Sequence, residues 1–142
     1  MTFQNLNHAE IAELLREART IAVVGLSANP ARPSYNVATA LLEFSYRIIP
    51  VSPRLQSWEN IPAVPTLDAA VATLAPGERI DIVNVFRQPQ HVAGIVTDCL
   101  RLKLPALWLQ LGVIDEIAAA RAQDGGMKVV MDKCLKIERA RI

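Results

Sequence analysis

Thr20-Ile-Ala-Val-Val-Gly25 is an unbroken apolar run that stops at a glycine. A strand wetted on one face alternates apolar with polar residues, so a run without that alternation is buried on both faces. Such a strand needs helices above and below it, which limits the chain to a few layered α/β architectures. The pattern recurs. Tyr46–Ser52 is stopped by Pro53, Ile80–Phe86 leads to Pro89, Ala106–Leu111 leads to Gly112, and Lys128–Met131 is the last such run.

Between the runs the apolar period changes to that of a helix. Asn7 caps a helix to Arg19, with Glu10 three positions on and Ile11, Leu14, Leu15 and Ala18 forming one stripe. Pro33 sits in the first turn of a helix reaching about Ser45, and Thr66 caps a short one that Pro76-Gly77 ends. Pro89 opens a helix bearing Val92, Ile95, Val96, Cys99 and Leu100 on one face, and Asp115 caps another that ends at Gly125-Gly126. This alternation predicts a Rossmann-like, doubly wound parallel sheet of about five to six strands with helices on both faces, all in one domain, 1–142. Arg54–Pro65 is the longest irregular stretch and reads as a mobile loop over the sheet edge, with a weak extra strand around Val64.

Composition removes several classes of function. A net charge of +1 without a run of Lys or Arg argues against nucleic-acid binding, which draws on clustered cations. No apolar stretch is long enough to span a bilayer, and the N-terminus does not read as a signal peptide. Cys99 and Cys134 have neither a metal-ligand nor a redox-pair spacing, so a soluble, cytoplasmic protein with reduced thiols is expected.

In an open α/β sheet, ligands bind at the carboxyl ends of the strands. The first such turn is Gly25-Leu-Ser-Ala-Asn-Pro-Ala-Arg-Pro-Ser34. Gly25 permits a close turn, Ser27 and Ser34 supply hydroxyls, Arg32 supplies a fixed cation, and the helix that follows directs its N-terminus at the same place. The turn predicts an anion site. It is not the dinucleotide fingerprint, because Ser27 and Pro30 stand where glycines are required, nor is there a Walker-type loop. The second strand is followed by Pro53-Arg54 rather than by the acidic residue that binds an NAD ribose. A ribose carrying an extra phosphate remains compatible, which leaves both coenzyme A and NADP.

Arg87 follows the third main strand beside the next helix start, and Gln110, next to Gly112, follows the fourth. Lys133 and Cys134 follow the last strand. Cys134 reads either as a small core residue or as a thiol near a thiol cofactor, whereas Cys99 belongs to a helix's apolar stripe. His8 and His91 sit near helix starts and read as solvated. No nucleophile elbow, metal-ligand cluster or general-base pair is apparent.

Ile21-Ala-Val-Val-Gly-Leu-Ser27, Arg32-Pro-Ser-Tyr35, Tyr46-Arg-Ile-Ile-Pro-Val-Ser-Pro53, Asp81-Ile-Val-Asn-Val-Phe-Arg87, Trp108-Leu-Gln-Leu-Gly112 and Val130-Met-Asp-Lys-Cys134 follow one another in order. As a set they resemble the small stand-alone CoA-binding domain proteins of bacteria, which are similar to the N-terminal domain of the succinyl-CoA synthetase alpha subunit. The resemblance covers Arg19 to the end. It implies that Gly25, Leu26, Ser27, Arg32, Pro33 and Ser34 line the nucleotide turn. Pro53 and Arg54 would flank the adenosine-phosphate end, Phe86 and Arg87 the diphosphate or pantetheine arm, and Gln110 and Lys133 the far side.

The family pattern usually carries Asn where this chain has Ser52. The synthetases also use a phosphorylated histidine in a separate downstream domain, so acyl-CoA synthesis is not expected of this polypeptide alone. The resemblance thus implies a module that binds CoA or an acyl-CoA without evident chemistry of its own. A small NADP-dependent oxidoreductase and a regulatory or interaction protein with a vestigial nucleotide site are the alternatives.

Overall fold

The first helix forms where Asn7 and Glu10 satisfy each other's orphan backbone N–H groups, both bonds being 2.9 Å. In the computed structural model, which describes residues 2–142, this is α1 (His8–Glu17). It is followed by β1 (Thr20–Val24), α2 (Pro33–Glu43) and β2 (Arg47–Val51). A small hairpin, β3 (Ser57–Trp58) and β4 (Ile61–Pro62), precedes α3 (Leu67–Ala72) and β5 (Ile82–Val85). A 3-10 turn at Pro89–His91 leads into α4 (Val92–Arg101), then come β6 (Ala106–Leu109), α5 (Glu116–Asp124), β7 (Lys128–Met131) and α6 (Leu135–Ala140). The Thr66 and Asp115 side chains cap α3 and α5 as their sequence positions predict.

The main sheet is parallel and five-stranded, in the order β2-β1-β5-β6-β7. The chain winds outward from β1 to β2, then crosses back to β5 and continues the other way. Strand order therefore reverses between β1 and β5, and a crevice opens there at the carboxyl edge.

Every residue of β1 is buried, and successive side chains go to opposite faces. Ala22 and Val24 join Val83, Val85, Leu107 and Leu109 under α3, α4 and α5. Ile21 and Val23 join Ile82, Trp108 and Val130 under α1, α2 and α6. Fully burying a Val, Leu or Ile contributes about 1.5–3 kcal/mol, so these two layers drive the fold.

Two segments depart from the sequence reading. Residues 54–65 are not simply irregular: Glu59 and Asn60, with φ of 49° and 64°, make the tight turn of the β3–β4 hairpin. The weak strand around Val64 is a single parallel bridge to Val51. Beyond the last strand the chain forms α6, whose Leu135 is fully buried.

Both outer strands are covered. Along β2, the Val64 N–H donates to the Pro50 carbonyl and the Ser52 N–H to the Val64 carbonyl, both at 2.9 Å. Along β7, the Asn5 amide takes the Met131 N–H at 2.7 Å and donates to its carbonyl at 3.1 Å.

Candidate functional site

Gly25 ends β1 with φ of +86°, a conformation that disfavours a side chain. A Cβ there would lie 2.9 Å from Cδ of Arg87 and 3.3 Å from the Phe86 carbonyl carbon. The two strand ends flanking the switch point are thus pressed together, and the stem of Arg87 lies across the glycine. Nothing larger than hydrogen fits between them.

The turn that follows is held by its own side chains. The Ser27 N–H donates to Ser34 Oγ, the Asn29 N–H to Ser27 Oγ, and the Ala31 N–H to Asn29 Oδ1, each at 3.0 Å. Pro33 starts α2, and Arg32 occupies the cap position with no side-chain cap bond. Among the described residues the N–H groups of Ala28 and Ser34 take no acceptor. A rigid turn with free N–H groups at a helix N-terminus is a preformed seat for an anion. Ser52, where the family pattern usually has Asn, accepts from the Arg54 N–H at 3.3 Å and so shapes the turn after β2.

A cleft of about 1410 Å³ runs along this edge. That exceeds the roughly 300–1,000 Å³ of common small-molecule pockets and suits a long ligand. Gly25, Leu26, Ser27, Arg32, Pro33 and Ser34 line it after β1, with Pro53 and Arg54 after β2 on one side, and Phe86 and Arg87 after β5 and Gln110 after β6 on the other.

Lys133 lies elsewhere, in a neighbouring depression beside Phe3 and Asn5. Its carbonyl accepts from Trp108 Nε1 at 2.8 Å. Lys136, the second residue of α6, lines the cleft instead, with Nζ on Asn36 Oδ1 at 2.8 Å. Asn36 and Leu55, which the sequence does not mark, also line it, as does His91, which the sequence reads as solvated. Recognising α6 would have revealed Lys136.

Three arginines of this edge have no carboxylate partner. Among the described residues the ion pairs are Arg47–Glu78, Arg79–Asp81, Arg101 with Asp68 and Asp98, and Arg141–Glu138. Arg32, Arg54 and Arg87, all lining the cleft, belong to none of them. The two thiols are free and differ in setting: Cys134 lines the cleft, whereas burial, helped by the Asp98 charge, pushes the Cys99 thiol up to about 12. No group of His, Cys, Asp and Glu among the described residues is arranged to hold a metal ion, and no described helix is long and apolar enough to cross a membrane.

A doubly wound sheet with a cation-lined cleft at its switch point defines a Rossmann-like α/β domain with a site suited to a phosphorylated ligand. Residues 19–140 match the CoA binding domain family, and the chain belongs to it. It is 37% identical over 137 residues to "Uncharacterized protein YneT" of Bacillus subtilis (strain 168), covering 96% of this chain and 97% of that one. Among solved structures it is similar to cell-free ID.343 from Thermus thermophilus, with 36% identity and a TM-score of 0.82 over 96% of this chain and 98% of that one. A hypothetical protein from Pyrococcus horikoshii OT3 gives 26% identity and a TM-score of 0.84 over 96% and 92%.

Proposed function

We propose that this protein binds coenzyme A, free or acylated, in the cleft at the carboxyl edge of the sheet, as a binding module without chemistry of its own. The observation that carries this reading is the convergence of Arg32, Arg54 and Arg87, free of carboxylate partners, on a cleft that begins at a rigid turn with unclaimed N–H groups. Such a site fits an elongated ligand with phosphates at one end. The family to which the chain belongs supports the choice of CoA.

In this reading Gly25, Leu26, Ser27, Pro33 and Ser34 hold the diphosphate against the α2 N-terminus, with Arg32 beside it. Pro53 and Arg54 flank the adenosine and its 3′-phosphate. Phe86 and Arg87 direct the pantetheine arm along the cleft toward Gln110, and Lys133 is left with no direct part. The free thiols suit a reducing, cytoplasmic setting.

Isothermal titration of the purified protein with CoA, NADP and NAD tests this. CoA is expected to bind most tightly. Tighter binding of NADP, or no binding of CoA, would overturn the proposal.

A further inference from the structure

The far end of the cleft differs in chemistry from its phosphate end. Gln110 is only 5% exposed yet lines the cleft. Its Oε1 accepts two hydrogen bonds, from the Leu135 N–H at 3.0 Å and from Asn84 Nδ2 at 3.1 Å. A backbone N–H can only donate, so the amide orientation is fixed: oxygen faces α6, and nitrogen faces away from it. That NH2 group has no acceptor among the described residues and is not one of the sealed, unpartnered atoms. It is a buried side chain's free donor, turned to the cleft.

Apolar side chains surround this donor. Leu111 and Ile137 are 60% and 45% exposed and both line the cleft, together with Val113. Ile114 and Ile117, on the β6–α5 loop and the first turn of α5, are also exposed. Leu42 is the one other large apolar side chain that the described residues leave so exposed. Leu111, Val113 and Ile137 thus belong to the cleft itself. Lys136 also lines the cleft, its Nζ held by Asn36 Oδ1 at 2.8 Å, while Asp132 lies in the neighbouring depression.

A donor with no acceptor, set in an apolar wall, fits a carbonyl joined to an uncharged hydrocarbon. Resting on the CoA reading above, we infer that the preferred ligand is a CoA thioester of an uncharged aliphatic acyl group. The thioester carbonyl accepts from Gln110 Nε2, and the chain lies on Leu111, Val113 and Ile137. A free thiol leaves the donor unmatched and the wall wet. A dicarboxylic acyl group brings a carboxylate onto Leu111, Val113 and Ile137, which offer it no donor.

Titration calorimetry with CoA, S-butyl-CoA, butyryl-CoA and succinyl-CoA separates the parts. Butyryl-CoA is expected to bind about tenfold more tightly than CoA, from partial burial of its methylenes and one carbonyl bond. S-butyl-CoA, which has the chain but no thioester carbonyl, is expected between them, and succinyl-CoA no tighter than CoA. Ile137→Ser should bring the ratio of butyryl-CoA to CoA affinity toward one, and Gln110→Glu should remove the advantage of butyryl-CoA over S-butyl-CoA.

CoA that binds as well as butyryl-CoA would overturn the acyl inference while leaving CoA binding intact. Equal binding of S-butyl-CoA and butyryl-CoA would remove Gln110 from it. Failure of every CoA compound to bind would overturn the underlying reading instead.

Discussion

The amino and carboxyl ends of the same five strands are finished in opposite ways. At the amino end, Asp81 accepts the N–H groups of Arg19 and Thr20, each at 2.9 Å, and the Arg79 guanidinium at 2.8 Å, and nearby Arg47 pairs with Glu78. At the carboxyl end, Arg32, Arg54 and Arg87 face one cleft without a carboxylate among them. At the first end Asp81, Arg79, Arg47 and Glu78 are matched within the chain, and at the second the three arginines that line the cleft have no carboxylate partner. Substitutions at the first end should therefore register in stability, and those at the second in ligand affinity.

The largest effect is expected where the two demands meet. Gly25→Val places a branched side chain at positive φ and against Arg87 and Phe86, so it should lower stability by roughly 3 kcal/mol or more and also abolish CoA binding. Urea denaturation and calorimetry on the same sample measure both. Normal stability with lost binding would mean that the strand ends are less tightly pressed together than they look.

Asp81→Ala comes next, at about 2–3 kcal/mol, because it strands two backbone donors of which one is buried. Burial raises the Asp81 pKa, but the Thr20 and Arg19 N–H groups and Arg79 outweigh it and hold the carboxyl below its ordinary 3.8. A depressed folded pKa gives stabilisation that is complete above the ordinary value and fades as pH falls through the native one. The wild type should thus lose stability below about pH 4 more steeply than Asp81→Ala. Equal acid limbs would count against Asp81 as the organiser of that end.

Arg54→Ala tests the carboxyl end alone. It should weaken CoA about tenfold or more, leave dephospho-CoA almost unaffected, and barely move the melting midpoint. The difference between the two ligands should shrink with salt, since Arg54 is exposed. If Arg54→Ala weakens both ligands alike, Arg54 contacts some group other than the 3′-phosphate. Glu78→Gln, which breaks an exposed ion pair, is expected to have the smallest effect, a melting midpoint within error of the wild type. A clear shift would show that the amino end is more cooperative than its separate contacts imply.

The sequence made the sheet legible because each strand is a double-sided apolar run, and burial on both faces leaves no other reading. It made the carboxyl edge legible because Gly25, Arg32, Arg54 and Arg87 follow strand ends directly. The β3–β4 hairpin was harder to read, since two residues per strand carry no period and the turn is marked only by Asn60. The last helix is harder to read because Cys134 gives no cap signal and three of its six residues, Lys136, Glu138 and Arg139, are charged. With α6 went Lys136, and Lys133 was assigned to the cleft from sequence adjacency, which says nothing about which way a turn residue faces.

The Asn5 amide on Met131 has a consequence beyond one chain. An open parallel sheet ends in a row of unsatisfied donors and acceptors to which another molecule's strand can add. Here a primary amide from the N-terminal segment occupies both groups of Met131, while Pro50 and the bridge at Val64 close the opposite margin. Each outer strand thus has partners for its backbone groups at the carboxyl end. Trimming the segment through Asn5 would convert a self-limiting particle into one with a sticky flank, and its effect would appear as concentration-dependent turbidity.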